Sequence, residues 1–430
     1  MAVHVLEIND TELRLMRGAE VLACAPGVAC LEPDRVVVGS AAARQSRLNP
    51  RRIVNRYWSR LSQDPLPAPS RHARHHADLA YAQLLDLHRA GGGPEELVIA
   101  VPGSFSREQL ALLLGICAAA PFRPVGLVDA AVAALAGTAG PGSYTHVDIG
   151  VHEAVITHLG VGEHVRRLDV EVIGDCGLET LIDACAAHVA EQFIQQTRFD
   201  PLHHAQSDQA VYDALPGWLA ALEQAATVEA RIDMHGEHRA RLAREALHEV
   251  LAPFHARIRA RIPQDANTLL SHRAGRLPGL AQALSALAVL APEALMQGVA
   301  RQADRLRAAD GAVHFLTRLE AAPAPIVLPR GQGEERVTHV LAGHRAWAIG
   351  TLPLYLDPAG TMHREAPPVA GCNVVRSGLN ALLRADAGVH ALVNGQPVRG
   401  VVTLAPGDEL AFAGGAGAYR FIAAVPAHGA

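Results

Sequence analysis

The order of apolar and polar positions divides the chain into two similar α/β halves and an all-β tail. The apolar-rich Val3-His4-Val5-Leu6-Glu7-Ile8 opens the chain, and Leu13-Arg14-Leu15-Met16 precedes a turn at Gly18. These read as consecutive short strands, with Val36-Val37-Val38 as a third. Across 78–87 apolar residues recur at helical spacing, and Gly91-Gly92-Gly93-Pro94 breaks the chain before a buried-type strand at Leu97-Val98-Ile99-Ala100-Val101. Ser106 followed three residues later by Gln109 predicts a capping box that opens a helix through Ala120. Residues 1–140 therefore read β-β-β-α-β-α. The pattern then restarts. Segments 146–150 and 153–159 predict a hairpin, 165–172 a third strand and 178–193 a helix. A long, mostly helical stretch follows to about Pro263, then a short strand at 268–271 and a helix at 278–290. Each half ends its first strand near an acidic residue, as a duplicated α/β fold would. At 321–336 the composition shifts to Pro and Gly, which reads as a linker. Residues 337–430 alternate short apolar runs with turn residues, and Asn394-Gly395 is the strongest hairpin signal in the chain.

Composition narrows the class. Half the residues are hydrophobic and 19% are charged, which is globular rather than disordered. Apolar runs stop well short of the roughly 20 residues a membrane span needs, so no membrane insertion is expected. The start, Met1-Ala2-Val3-His4, lacks the basic and apolar regions of a secretion signal, and a cytoplasmic protein is expected. The six cysteines form no C-x-x-C pair and read as buried thiols in a reducing compartment. A net charge of −5 offers no broad footprint for nucleic acid. All 38 basic residues are Arg; the chain contains no Lys. That excludes a P-loop G-K-[ST], Schiff-base chemistry and any Lys-dependent kinase arrangement. His72, His75 and His76 stand at helical spacing but lack the further ligands of a metal site, and read as a solvated face.

Five segments in order resemble the nucleotide-binding domain of DnaK-type chaperones, members of the actin superfamily. They are Val38-Gly39-Ser40-Ala41-Ala42 leading to Asn49-Pro50, Ala100-Val101-Pro102-Gly103-Ser104-Phe105, Asp129-Ala130-Ala131-Val132-Ala133-Ala134, His146-Val147-Asp148-Ile149-Gly150, and Ala291-Pro292-Glu293-Ala294 through Gly298-Val299-Ala300. The resemblance implies a duplicated actin-like (ribonuclease H-like) domain over 1–320, with lobe I at about 1–143 and lobe II at about 144–320. It also implies a cleft in which glycine hairpins hold phosphates and carboxylates position magnesium and water. The cofactor would be ATP or ADP with Mg, and any activity an ATP hydrolase.

Much of that site is replaced. The first phosphate hairpin, D-x-G-T-T in the family, here reads Glu7-Ile8-Asn9-Asp10-Thr11, and Asp10 sets a negative charge where phosphate oxygens would lie. At about 4 Å in a half-buried site that repulsion is on the order of 4 kcal/mol. In the second hairpin Asp148 and Gly150 survive, but Val151-His152-Glu153 replace the remaining glycines and threonine. The family's phosphate-contacting Lys would fall near Tyr57-Trp58-Ser59, where Arg56 or Arg60 could reach inward. The adenosine clamp, a helical motif, keeps Glu223 alone, and the last adenosine loop becomes His272-Arg273-Ala274-Gly275-Arg276, keeping the Arg at 276. The candidate nucleotide site is thus Asn9, Asp10, Thr11, Asp148, Gly150, Glu223, Gly275 and Arg276. Asp129 and Asp148 are the catalytic candidates, and Asp148 is the metal ligand if Mg binds. The plainer roles are a helix N-cap for Asp129 and a strand-end cap for Asp148.

Residues 337–430 resemble a forkhead-associated β-sandwich through Gly350, Arg376-Ser377, Val393-Asn394-Gly395-Gln396-Pro397-Val398 and Leu404-Ala405-Pro406-Gly407-Asp408. Thr351 and Asn380 replace the Arg and His with which that family holds phosphothreonine. The reading is a DnaK-like scaffold with a degraded ATP site that works through protein partners. The alternatives are an ATP-dependent chaperone-like protein and a small-molecule kinase.

Overall fold

The computed structural model describes residues 3–137, 140–234, 236–263, 266–307, 313–321, 337–343, 345–350, 352–365, 367–377, 380–386, 388–398, 401–413 and 418–422. The protein is mixed α/β and divides into two units: residues 1–137, 142–286 and 290–321, and residues 138–141, 287–289 and 322–430. Segment 322–336, most of the expected linker, lies outside the described residues, as does Thr351.

Two sheets organise the first unit. In its N-terminal half the strands are β1 (His4–Glu7), β2 (Leu13–Arg17), β3 (Glu20–Ala25), β4 (Glu96–Val101) and β5 (Arg123–Asp129). The C-terminal half has β6 (Gly142–Ile149), β7 (Glu153–Val161), β8 (His164–Gly174) and β9 (Asn267–Leu270). Two edge strands, β10 (Phe315–Leu316) and β11 (Arg318–Glu320), add to the first and second sheet respectively. The first sheet runs β3-β2-β1-β4-β5, and the second contains β8-β7-β6-β9. In each, the first three strands are antiparallel and the fourth runs parallel to the first. The two sheets thus share one strand order over these four strands.

Helices α1 (His76–Ala90), α2 (Arg107–Ala118) and α3 (Ala130–Ala136) belong to the first half, and α4 (Leu178–Thr197), α5 (Ala205–Gln224) and α6 (Arg244–Arg259) to the second. Helix α2 starts on the expected capping box: Ser106 accepts from the Gln109 amide and Gln109 from that of Ser106. The first core contains fully buried Tyr57 and Trp58, whose OH and indole N–H both donate to Gln83. Gln83 in turn donates to the Pro26 carbonyl at 2.7 Å, so no polar atom of this plug is left over. Helices α3 and α7 (Ala294–Arg301) cross so closely that a Cβ on Gly298 would overlap the Ala133 carbonyl oxygen.

Three stretches differ from expectation. The third strand of the first sheet is Glu20–Ala25, and Val36–Val38 pairs instead with Ala29–Leu31 in a separate small sheet. The helical run to Pro263 is interrupted by a hairpin, Thr227–Asp233 paired with Glu237–Ala243. There Ala230 and Ile232 are buried while Glu229, Arg231 and Asp233 face outward, a period of two. Segment 278–290 holds a four-residue helix, Leu280–Ala283, bounded by left-handed Gly279 and Ser285, and then a two-residue strand, Ala288–Val289. The described residues of the second unit form two sheets, of six and five strands, around one cluster that includes Leu354, Val374, Leu383, Leu410 and Phe421. Asn394 and Gly395, both at positive φ, make the expected two-residue turn. Asn380 spends its amide on the Leu287 carbonyl at 2.8 Å. Among the described residues no helix is long and apolar enough to cross a membrane.

Candidate functional site

Antiparallel pairing of β1 with β2, and of β6 with β7, brings the turns at 8–12 and 150–152 to the mouth of one cleft. Asn9 and Asp10 come from the first half, Asp148 and Gly150 from the second. Asn9 donates to Asp148 Oδ2 at 3.0 Å and to the Ile149 carbonyl at 3.1 Å, and its own Oδ1 accepts from the amide and hydroxyl of Thr11. Asp10 Oδ1 accepts the Val151 amide at 2.7 Å. Burial pushes the Asp10 carboxyl up from its ordinary value, with the Val151 amide opposing. Glu153 is also pushed up, by burial and then by the charge of Asp10.

Behind them a buried ion cluster joins the halves. Arg273, from the loop after β9, donates Nε and Nη2 to Asp148 at 3.3 and 3.0 Å and Nη2 to Glu7 Oε1 at 2.5 Å. Arg14 pairs with the other Glu7 oxygen, and Ser271 donates to Asp148 Oδ1 at 2.5 Å. Burial alone would push Asp148 and Glu7 up. Arg273, joined by Arg14 at Glu7 and by His146 and Ser271 at Asp148, outweighs it, and both carboxyls are held below their ordinary values. Reciprocally, the two carboxylates hold Arg273 above its own, against burial. Every member is at least nine-tenths buried by residue, Asp148 at 8% exposure being among the more open.

Further ties cross the same gap. Asp129 caps α3 through the Ala131 and Val132 amides, as the plainer expectation had it, and its other oxygen accepts from Arg167 on β8 at 2.9 Å. At the rim, Asn55 donates to Glu179 at 2.6 Å, and His152 lies 3.1 Å from Glu179 and from the Asn55 carbonyl. Arg47 pairs with Asp183 at 2.6 Å and stacks on Tyr212. Glu12 meets both His272 and Arg276, and its carboxyl falls to about 2, chiefly through the His272 hydrogen bond. What remains between Trp58, Ser59, Ser104, Phe105, Asp10 and Glu153 is a cavity of about 40 Å³, room for roughly three waters.

No family model and no curated protein matches this chain.

Asn9, Asp10, Thr11, Asp148 and Gly150 therefore meet at one place, and Gly275 and Arg276 sit on the loop beside it. Glu223 does not join them. It is exposed near the end of α5, and the segment expected to continue its helix is the strand Thr227–Asp233. Neither Arg56 nor Arg60 is among the residues lining the cavity. The residues that sequence reasoning missed as site members are Arg273, Glu7 and Arg14. Their signal was the loop itself: His272-Arg273-Ala274-Gly275-Arg276 carries two arginines, and attention fell on the second. Among the described residues no cluster of His, Cys, Asp or Glu is arranged to hold a metal.

Proposed function

We propose that the chain is a DnaK-like scaffold whose nucleotide cleft is closed by its own side chains and which works through protein partners without turning over ATP. The observation that carries this reading is Arg273 bridging Glu7 and Asp148. In the duplicated actin-like arrangement that the repeated strand order supports, those two carboxylates end the first strand of each lobe and would flank magnesium. A guanidinium between them supplies the cation from within the protein. Asp10 supports the same reading from the other side: its carboxylate accepts the Val151 amide, a hairpin N–H of the kind that would otherwise bind phosphate. One internal cation and one internal anion thus stand in for the two charged parts of a bound metal–nucleotide.

The catalytic candidates fit this reading. Asp129 is tied to Arg167 and to a helix N-terminus, and Asp148 to Arg273, so neither carboxylate is available to activate water. The second unit reads as a forkhead-associated-like docking module, and Asn380, which gives an amide N–H to a backbone carbonyl, stands where that family places its phosphate-binding His. Calorimetric titration with Mg-ATP and with ADP tests the proposal. No saturable heat is expected up to about 1 mM, where a Kd would correspond to roughly 4 kcal/mol, and no hydrolysis above background. Saturable binding that disappears in Asp148→Ala would overturn it in favour of an ATP-dependent chaperone-like protein.

A further inference from the structure

The cavity left in the cleft, about 40 Å³, is lined by three carboxylates, Asp10, Asp148 and Glu153, and by no arginine; the chain has no lysine to offer. Arg273, which does not line this space, meets the charge of Asp148. Asp10 and Glu153 differ. Asp10 is buried and accepts the Val151 amide, and half-buried Glu153 accepts the Ser104 hydroxyl, but neither forms an ion pair among the described residues. His152 acts on both, yet its ring is engaged by Glu179 and Asn55. Burying a carboxylate without a counter-charge is costly, and the group then takes up a cation or a proton. A second observation is independent of the acids. His146 lines the same cavity, is 5% exposed and makes no hydrogen bond among the described residues.

We infer that this cavity binds a small ammonium ion, either ammonium itself or methylammonium, through Asp10, Glu153 and His146. Water would fill the space but leave both carboxylates without a counter-charge. An ammonium ion brings the charge together with N–H donors for acceptors on several sides. It needs no converged ligand set, and among the described residues no cluster of His, Cys, Asp or Glu is arranged to hold a metal. Burial holds the His146 ring below the ordinary imidazole value, so it stays neutral and one of its nitrogens is an acceptor. Trp58 and Phe105 stand in the wall, and aromatic rings attract ammonium groups. Room for roughly three waters admits methylammonium and excludes bulkier amines. The inference rests on the proposed reading of the cleft. Asp10 and Glu153 stand where the resembled phosphate hairpins carry threonine, so a place for an anion has become one for a cation.

Thermal unfolding of the full chain tests it, in the chlorides of ammonium, methylammonium, potassium and tetramethylammonium at matched ionic strength. Ammonium and methylammonium should raise Tm saturably by a few degrees, as a ligand specific to the folded state does. Tetramethylammonium, bulky and without N–H donors, should give no saturable gain. Asp10→Asn keeps the shape and an acceptor for the Val151 amide but removes the charge, and should abolish the gain. Should that variant fail to fold, heteronuclear NMR of isotope-labelled ammonium with the natural chain decides. A slowly exchanging ammonium signal that methylammonium displaces supports the site. Equal Tm in all four salts, a gain from potassium alone, or a gain that survives in Asp10→Asn overturns it. Mg-ATP titration of the same sample keeps the two readings apart. Loss of the ammonium effect without Mg-ATP binding overturns this inference alone, whereas Mg-ATP binding overturns the reading on which it rests.

Discussion

Arg273 is the residue that ties the two halves of the first unit together. Replacing it with Met leaves Glu7 with Arg14 as its remaining ion-pair partner and Asp148 with none among the described residues, and breaking a buried pair in this way costs about 3–5 kcal/mol. Urea unfolding at neutral pH should show a loss of that size. The pH dependence carries a second signature. In the natural chain both carboxyls are held below their ordinary values, so their contribution is present above the usual carboxylate range and is lost as pH falls through their lowered values. Without Arg273, burial dominates and raises both, so the variant is most penalised at neutral pH and recovers on acidification. The difference between the two proteins should therefore shrink from pH 7 toward pH 4. A pH-independent difference would assign Arg273 to packing alone. At this scale the sequence reading picked out residues that share a turn, and the structure brings them together. Asn9, Asp10, Asp148 and Gly150 were legible because each sits at a hairpin turn. Arg273, Glu7 and Arg14 were not, because an ion pair between residues 7 and 273 has no periodicity to betray it.

Elements were legible where a turn or cap has its own chemistry, as at Ser106-x-x-Gln109 and Asn394-Gly395. They were misread where neighbouring composition overrode a short pattern. The Ala-rich run of α5 disguised the alternation of Val228, Ala230 and Ile232, and with it went the placement of Glu223. The crossing of α3 and α7 offers a sharper test of the element scale. Gly298 has no room for a methyl group against the Ala133 carbonyl, so Gly298→Ala should destabilise by about 1–3 kcal/mol through overpacking. Gly115, inside α2 with nothing near its Cβ position, is the control: Gly115→Ala should stabilise by roughly 0.5–1 kcal/mol. Chemical denaturation of both variants distinguishes a close-packed crossing from a tolerant one, which would leave Gly298→Ala unchanged.

In the first unit as a whole, ties at three depths span the cleft: Arg273 with Glu7 and Asp148, Asp129 with Arg167, and the rim pairs of Asn55 with Glu179 and Arg47 with Asp183. The exposed rim pairs contribute little individually; the buried cluster fixes how the halves meet. A cleft held in this way has no need of nucleotide to close. Hydrogen exchange at the Thr11 and Val151 amides, whose acceptors are Asn9 and Asp10, reads that closure directly. Both amides should be protected in the protein alone, and Mg-ATP should leave their exchange unchanged. Fast exchange that becomes slow only when Mg-ATP is added would show that the cleft closes on nucleotide, and would contradict the account.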